Sequence, residues 1–321
     1  MTWRDRFVSL AAVLAGGAVV GGSALLTSGC LVREYIPPPD RTLDGHASHP
    51  SPAYDVFGDP VGADGRSLVT GRRYAPAELS PAAGAVAIDD GLLKLGRDAF
   101  YAETFGNEIP TTDLVGILAG PITAKSVSDA INALRGGGTT NLRVALATDA
   151  VVGGVRFHQG QIVDTGLDVP RGAIAPMGMT LRVAGPKVLT GITCAACHST
   201  VDPGTHEVVH GAPNWDFNAG LTLALATNSA AFVAHTDVRD LQRYARDPAR
   251  TVVTTDGRVL VVPDPAAVED AVDRVLLTWP PGNFDSSTDF VVNPTSIPHA
   301  FTWQAHPYSW SGPFVAGRST G

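Results

Sequence analysis

A mainly α-helical fold with long loops and small β-hairpins is what this sequence predicts, and three observations carry the expectation. Six segments between residues 91 and 277 space their apolar residues at helical intervals, against two stretches patterned as hairpins. Glycine and proline are plentiful, 35 and 24 in 321 residues, which favours long irregular connections over a compact bundle. One pentapeptide, Cys194-Ala195-Ala196-Cys197-His198, places two thiols and an imidazole on a single helical turn.

That pentapeptide is the attachment signature of a c-type haem. Thiols three residues apart can add across the two vinyl groups of haem b. The histidine after the second thiol then reaches the iron. Cys194 and Cys197 are therefore expected to bind one covalent haem c, with His198 as the axial iron ligand. Two other chemistries use similar spacing. A structural zinc site needs two more Cys or His ligands nearby, and the chain has no second CxxC. A thioredoxin-like pair should follow a buried strand. The run before the motif, Gly185 to Thr193, contains Pro186 and Gly191 and does not read as one.

Residues 1–30 read as an export signal. Arg4 and Arg6 precede an uncharged stretch, 7–29, rich in Ala, Val, Leu and Gly. The stretch is just long enough to span a bilayer, although its many glycines weaken it as a permanent membrane helix. It ends in Leu25-Leu26-Thr27-Ser28-Gly29-Cys30, which resembles a bacterial lipoprotein signal, with Thr27 where that pattern prefers leucine. Lipidation at Cys30 is the expectation; an uncleaved anchor or plain secretion are the alternatives. Haem c is assembled outside the bacterial cytoplasm, so export and the pentapeptide predict each other. The expected location is the periplasm or cell surface. Three cysteines are an odd number for disulfides, but two on haem and one on lipid leaves none over. The net charge of −8, with no basic run, argues against nucleic acid as a partner. A redox partner protein is expected instead.

Residues 31–88 read as a Pro/Gly-rich tether and lead-in, with His46 and His49 as solvated loop histidines. A haem domain follows over 89–321. Helices are expected over 91–105, from Thr111 or Thr112 to 118, and over 124–134, 221–235, 237–246 and 266–277, the last opened by Pro265. Strands are expected over 141–148 and 151–164, with turns at Gly153-Gly154 and at His158. A hairpin is expected over 251–262, turning at Asp256-Gly257. From Trp279 onward no clear element appears, and the loop-like ending suggests a chain that continues beyond it.

The iron's sixth ligand decides between electron transfer and an open site for O₂ or peroxide. No methionine follows His198, and Met177 and Met179, upstream, read as packing residues. The histidines that follow are His206, His210, His235, His299 and His306. His210 is the candidate, in a loop able to fold back over the haem edge; the alternative is a surface loop histidine bonded to backbone. His235 reads as a helix-end partner. Trp215 reads as a buried anchor.

Leu95-Gly96-Arg97-Asp98-Ala99-Phe100-Tyr101, the CxxCH, and His210-Gly211-Ala212-Pro213-Asn214 followed by Asn218-Ala219 resemble the first haem domain of the di-haem cytochrome c peroxidases. Tyr101 to Glu108, Thr190 to Thr193 and Asn293 to Ser296 are more similar to the rubber-oxygenase branch of that superfamily. The resemblance covers roughly residues 90–312. It implies a mostly helical, cytochrome c-like haem core with long decorating loops, and two haems. This chain departs there, because it holds one CxxCH and no cysteines for another. The resemblance then implies either a mono-haem electron carrier or the N-terminal haem half of an enzyme acting on peroxide or O₂. In the peroxidases the first haem takes a second histidine, matching His210; in the rubber oxygenases it binds O₂ instead.

Overall fold

The computed structural model describes residues 32–44, 52–233, 238–285, 290 and 292–300. The proposed signal, Cys30, His46, His49, His235 and His306 lie outside these residues. Among the described residues no helix is long and apolar enough to cross a membrane.

The fold class needs correcting. Of the described residues 29% are helix and 22% strand, with the strands spread over several small sheets, so the fold is not mainly α. Three helices match the periodicity: α1 (Asp90–Ala102), α2 (Ala124–Ala133) and the later helix Pro265–Leu276. Each starts on a side-chain cap: Asp89, Thr123 and Asp264 accept from the main-chain N–H groups of Leu92, Ser126 and Ala266. The helix expected over 221–235 is shorter. It runs as Ala219–Ala224, and a separate 3₁₀ turn, Ser229–Val233, follows Asn228. The strand pairs Arg143–Ala145 with Ile162–Asp164, and Ala150–Val152 with Val155–Phe157, form as expected, as does the hairpin Thr251–Val253 with Val259–Val261.

The strands that displace the helical expectation flank the CxxCH. Met179–Ala184 pairs antiparallel with Lys187–Ile192, joined by the two-residue turn Gly185-Pro186. Gly185 has φ +61°, as the first position of a type II′ turn requires. After the motif, Ser199–Val201 pairs antiparallel with Val208–His210. The lead-in joins both sheets: Val32–Arg33 pairs with Met179–Ala184, and Thr42–Asp44 lies parallel to Val208–His210. The described residues accordingly form one compact unit.

The main core gathers Val127 and Ile131 of α2, Val144 and Val163 of the small sheet, Leu223, and Leu276. Burial of this apolar surface is the chief stabilising term. A second, smaller cluster joins Tyr101, Met177, Ala195, Val201 and Val208. Met179 belongs to the main core and Met177 to the second, so both methionines serve packing.

Candidate functional site

The CxxCH opens α3 (Ala195–His198), a single helical turn wedged between the two cores. Ala195 packs into the smaller cluster and Cys197 against the larger. Three main-chain contacts fix the turn: Thr193 N–H donates to the Gly178 carbonyl (2.8 Å), His198 N–H to Cys194 (3.0 Å), and Asn214 N–H to Cys197 (2.9 Å). Gly178, at φ +73°, lies so close that a Cβ there would stand 2.0 Å from the Ala196 nitrogen.

Asn214 is the pin beneath the turn. Its buried amide donates to the carbonyls of Gly166 (3.1 Å) and Ala196 (3.4 Å). Its Oδ1 accepts from the N–H groups of Asp216 and Phe217. Asn214→Ala leaves these buried groups short of partners. A loss of about 3 kcal/mol in unfolding free energy is the expected result, read from the urea midpoint.

A strand, Lys187–Ile192, leads directly into the motif where no buried strand was expected; its first two residues are exposed, and only Thr190 and Gly191 are buried. Its β-branched residues, Val188, Thr190 and Ile192, fall at every second position and so share one face, and Gly191 is there because a side chain would strike Thr104. The strand weakens one argument against a thioredoxin-like dithiol, and the thiols supply another. Such pairs work through a thiolate with a lowered pKa. Here burial raises both thiols, Cys197 to about 12, and the two sit in a turn too short for a helix dipole to offset it. Among the described residues no three His, Cys, Asp or Glu side chains converge as a metal site would need.

His198 is held in one orientation. Its Nδ1 lies 3.0 Å from the Pro298 carbonyl, an acceptor only, so Nδ1 carries the proton and the lone pair lies on Nε2. Burial lowers its pKa, with the bond to Pro298 opposing, which favours the neutral imidazole. Metal-binding histidines are commonly fixed this way, by a carbonyl on the other ring nitrogen. Residues 297–300 lie across the turn as a strap: Ala300 N–H donates to Gly211 (2.7 Å), and Trp215 Nε1 to Ile297 (3.3 Å). Trp215 is 66% exposed, so it is not the buried anchor expected. Its backbone is fixed instead, packed on Gly282.

His210 ends a strand rather than sitting in a free loop. Its Nδ1 is 2.9 Å from the Tyr101 hydroxyl, and its ring meets Phe100 edge to face at 5.0 Å. A His210 that binds iron through Nε2 must keep its proton on Nδ1, with Tyr101 accepting. His206 is tied to the Gly137 carbonyl and His158 lies 3.9 Å from Asp149, both away from the motif.

Sequence reasoning missed Asp168. It is buried, and its Oδ2 accepts from Thr200 Oγ1 and Val201 N–H, both at 2.7 Å, on the strand leaving His198. Its Oδ1 finds no partner among the described residues, and burial pushes its pKa up from 3.8 to about 7. A carboxyl raised on folding takes up a proton as the chain folds. Its contribution is full below the unfolded value and is lost as pH rises through 7. Asp168→Asn should flatten the fall in stability between pH 4 and 7, by on the order of 4 kcal/mol at most. Asp273, raised to about 6 by burial, keeps part of the slope. Urea midpoints across that range check this. No sequence signal marked Asp168; Gly178 and Asn214 stood in view, but only the crossing of distant loops gives them their roles.

The fold and site define a mixed α/β unit that presents a CxxCH turn with an oriented histidine. No protein-family model, curated protein or solved structure matches the chain.

Proposed function

We propose that this is an exported c-type cytochrome, tethered to the membrane through its N-terminus, that carries single electrons on one covalent haem. Cys194 and Cys197 would hold the haem and His198 its iron. The observation that carries the reading is the Nδ1 contact of His198 with Pro298, directly after the CxxCH, which orients the imidazole and holds its proton on Nδ1, the tautomer of a haem ligand. The donor set fits the group: two thiols three residues apart on one turn, followed directly by an imidazole that burial biases toward its neutral form. A haem bound there supplies one-electron exchange at its iron.

The chain's own residues then do the rest. Asn214 and Gly178 hold the turn, Pro298 orients His198, and the main core backs Cys197 away from water. The visible spectrum of the ferrous protein, with and without carbon monoxide, tests the reading. An electron carrier with two protein ligands gives a low-spin spectrum unmoved by carbon monoxide. A spectrum that shifts points to an open iron, and so to the alternative, a haem half that acts on peroxide or O₂. A protein without haem bands overturns both.

A further inference from the structure

We propose that the face built by residues 104–115 over the strand Lys187–Ile192 rests on the lipid bilayer, with Phe105, Ile109 and Leu114 entering its interface. The proposal rests on the reading above that the chain is tethered through its N-terminus. The sequence reads residues 31–88 as an extended tether, but the structure folds their start into a sheet: Val32–Arg33 pairs in register with Met179–Ala184. The apolar stretch ends at Gly29 and the candidate lipid site is Cys30. Whichever of the two is the anchor, Leu31 alone separates Cys30 from the folded strand, a reach of about 7 Å. No leash is left to hold the domain clear of the membrane, which puts the surface around Val32 at the bilayer.

That surface carries the exposed apolar residues. Val32 lies opposite Arg182, and Arg182 opposite Leu189. Strands about 5 Å apart then place Lys187–Ile192 within about 10 Å of the anchored strand. Residues 104–115 grip Lys187–Ile192 from one side. Asn107 bonds both main-chain groups of Ile192, and Thr112 both of Thr190. Thr104 and Thr111 are buried beneath the segment. With these side chains turned inward, Phe105, Ile109 and Leu114 are left outward, 80, 60 and 57% exposed. Ile109 precedes and Leu114 belongs to a π-helical turn, Pro110–Val115, whose i→i+5 bonding stacks residues five apart on one side.

Phe105 is held out by its own backbone. Its φ is +52°, its N–H donates to the Glu103 carboxylate (2.8 Å), and Asn107 N–H closes the turn on the Thr104 carbonyl (3.0 Å). A bulky side chain in that left-handed region is uncommon. Fixed in water, the phenyl ring gains nothing from burial; in the bilayer interface it does. Charge does not oppose the contact. The chain carries −8, but on this face Arg182 lies 3.8 Å from Glu108 and Lys187 3.1 Å from Asp113. Each of these acids therefore meets anionic headgroups with a cation beside it.

The test uses the full-length chain in vesicles of phosphatidylethanolamine and phosphatidylglycerol that carry a diazirine on the acyl chain. A carbonate wash first reads the tether; a chain that washes off overturns the tether reading and this proposal with it. For a retained chain, carbene insertion mapped by peptide digestion is expected on residues 104–115. The combined variant Phe105→Ser, Ile109→Ser and Leu114→Ser, changed only at exposed positions, should stay anchored and lose insertion about tenfold at the unaltered residues of the segment. A retained chain with no insertion on 104–115, insertion gathered instead at the exposed Phe57, or an unchanged yield in the variant would overturn the docking and leave the tether standing. Carbodiimide coupling of two copies through Lys187, in place of lipid insertion, would likewise overturn it and give the face to a second chain. Neither readout depends on haem.

Discussion

Alanine at Cys194 or at Cys197 is expected to abolish covalent haem: on a denaturing gel stained for haem the wild-type chain gives a band and either variant none. The two thiols differ in surroundings. Cys194 lies at the surface, whereas Cys197 packs against the main core and its thiol is pushed up to about 12. Loss of Cys197 should therefore also lower stability, by about 1 kcal/mol for a small buried group. Loss of Cys194 should cost little besides the haem. A variant that keeps its stained band would show that the thiols are not the attachment points.

Alanine at Gly178 is expected to be among the most damaging single changes outside the motif. Its added methyl would stand 2.0 Å from the Ala196 nitrogen and 2.4 Å from the Ala196 Cα, and the backbone there has φ +73°. Backbone cannot yield as a flexible side chain does, so α3 must shift. A loss of about 3 kcal/mol or more follows, together with most of the haem yield. Gly185→Ala is the control. Its φ is +61°, but nothing lies within 4 Å, so it should cost only the backbone penalty of about 1 kcal/mol. Urea denaturation of the two variants separates steric collision from backbone strain; equal losses would contradict the placement of Gly178 beneath α3.

The sequence made the motif and the long amphipathic helices legible, because both are local. Thr123, Asp89 and Asp264 stand where caps belong, and α1, α2 and Pro265–Leu276 form within a few residues of expectation. The fold class was misjudged where locality fails. Met179–Ala184 and Lys187–Ile192 alternate poorly, because their burial is set by Asn107 and Thr112 reaching across from about 80 residues away. The Gly185-Pro186 turn between them was nonetheless a readable hairpin signal. Proline-rich residues 31–44 gave no core periodicity, yet two short strands there complete sheets around the motif through main-chain pairing. At the site, Cys194, Cys197 and His198 were legible from spacing. Pro298, Asn214 and Asp168 were not, because their roles come from contacts 18 to 100 residues apart in the chain.

Intact mass under denaturing conditions is the most direct test, made on protein exported by a host that assembles c-type cytochromes. The expected result is a chain heavier by one haem, with the addition mapped by peptide digestion to Cys194 and Cys197. A chain of unmodified mass at those two cysteines, from a host that loads a control cytochrome, would contradict the account.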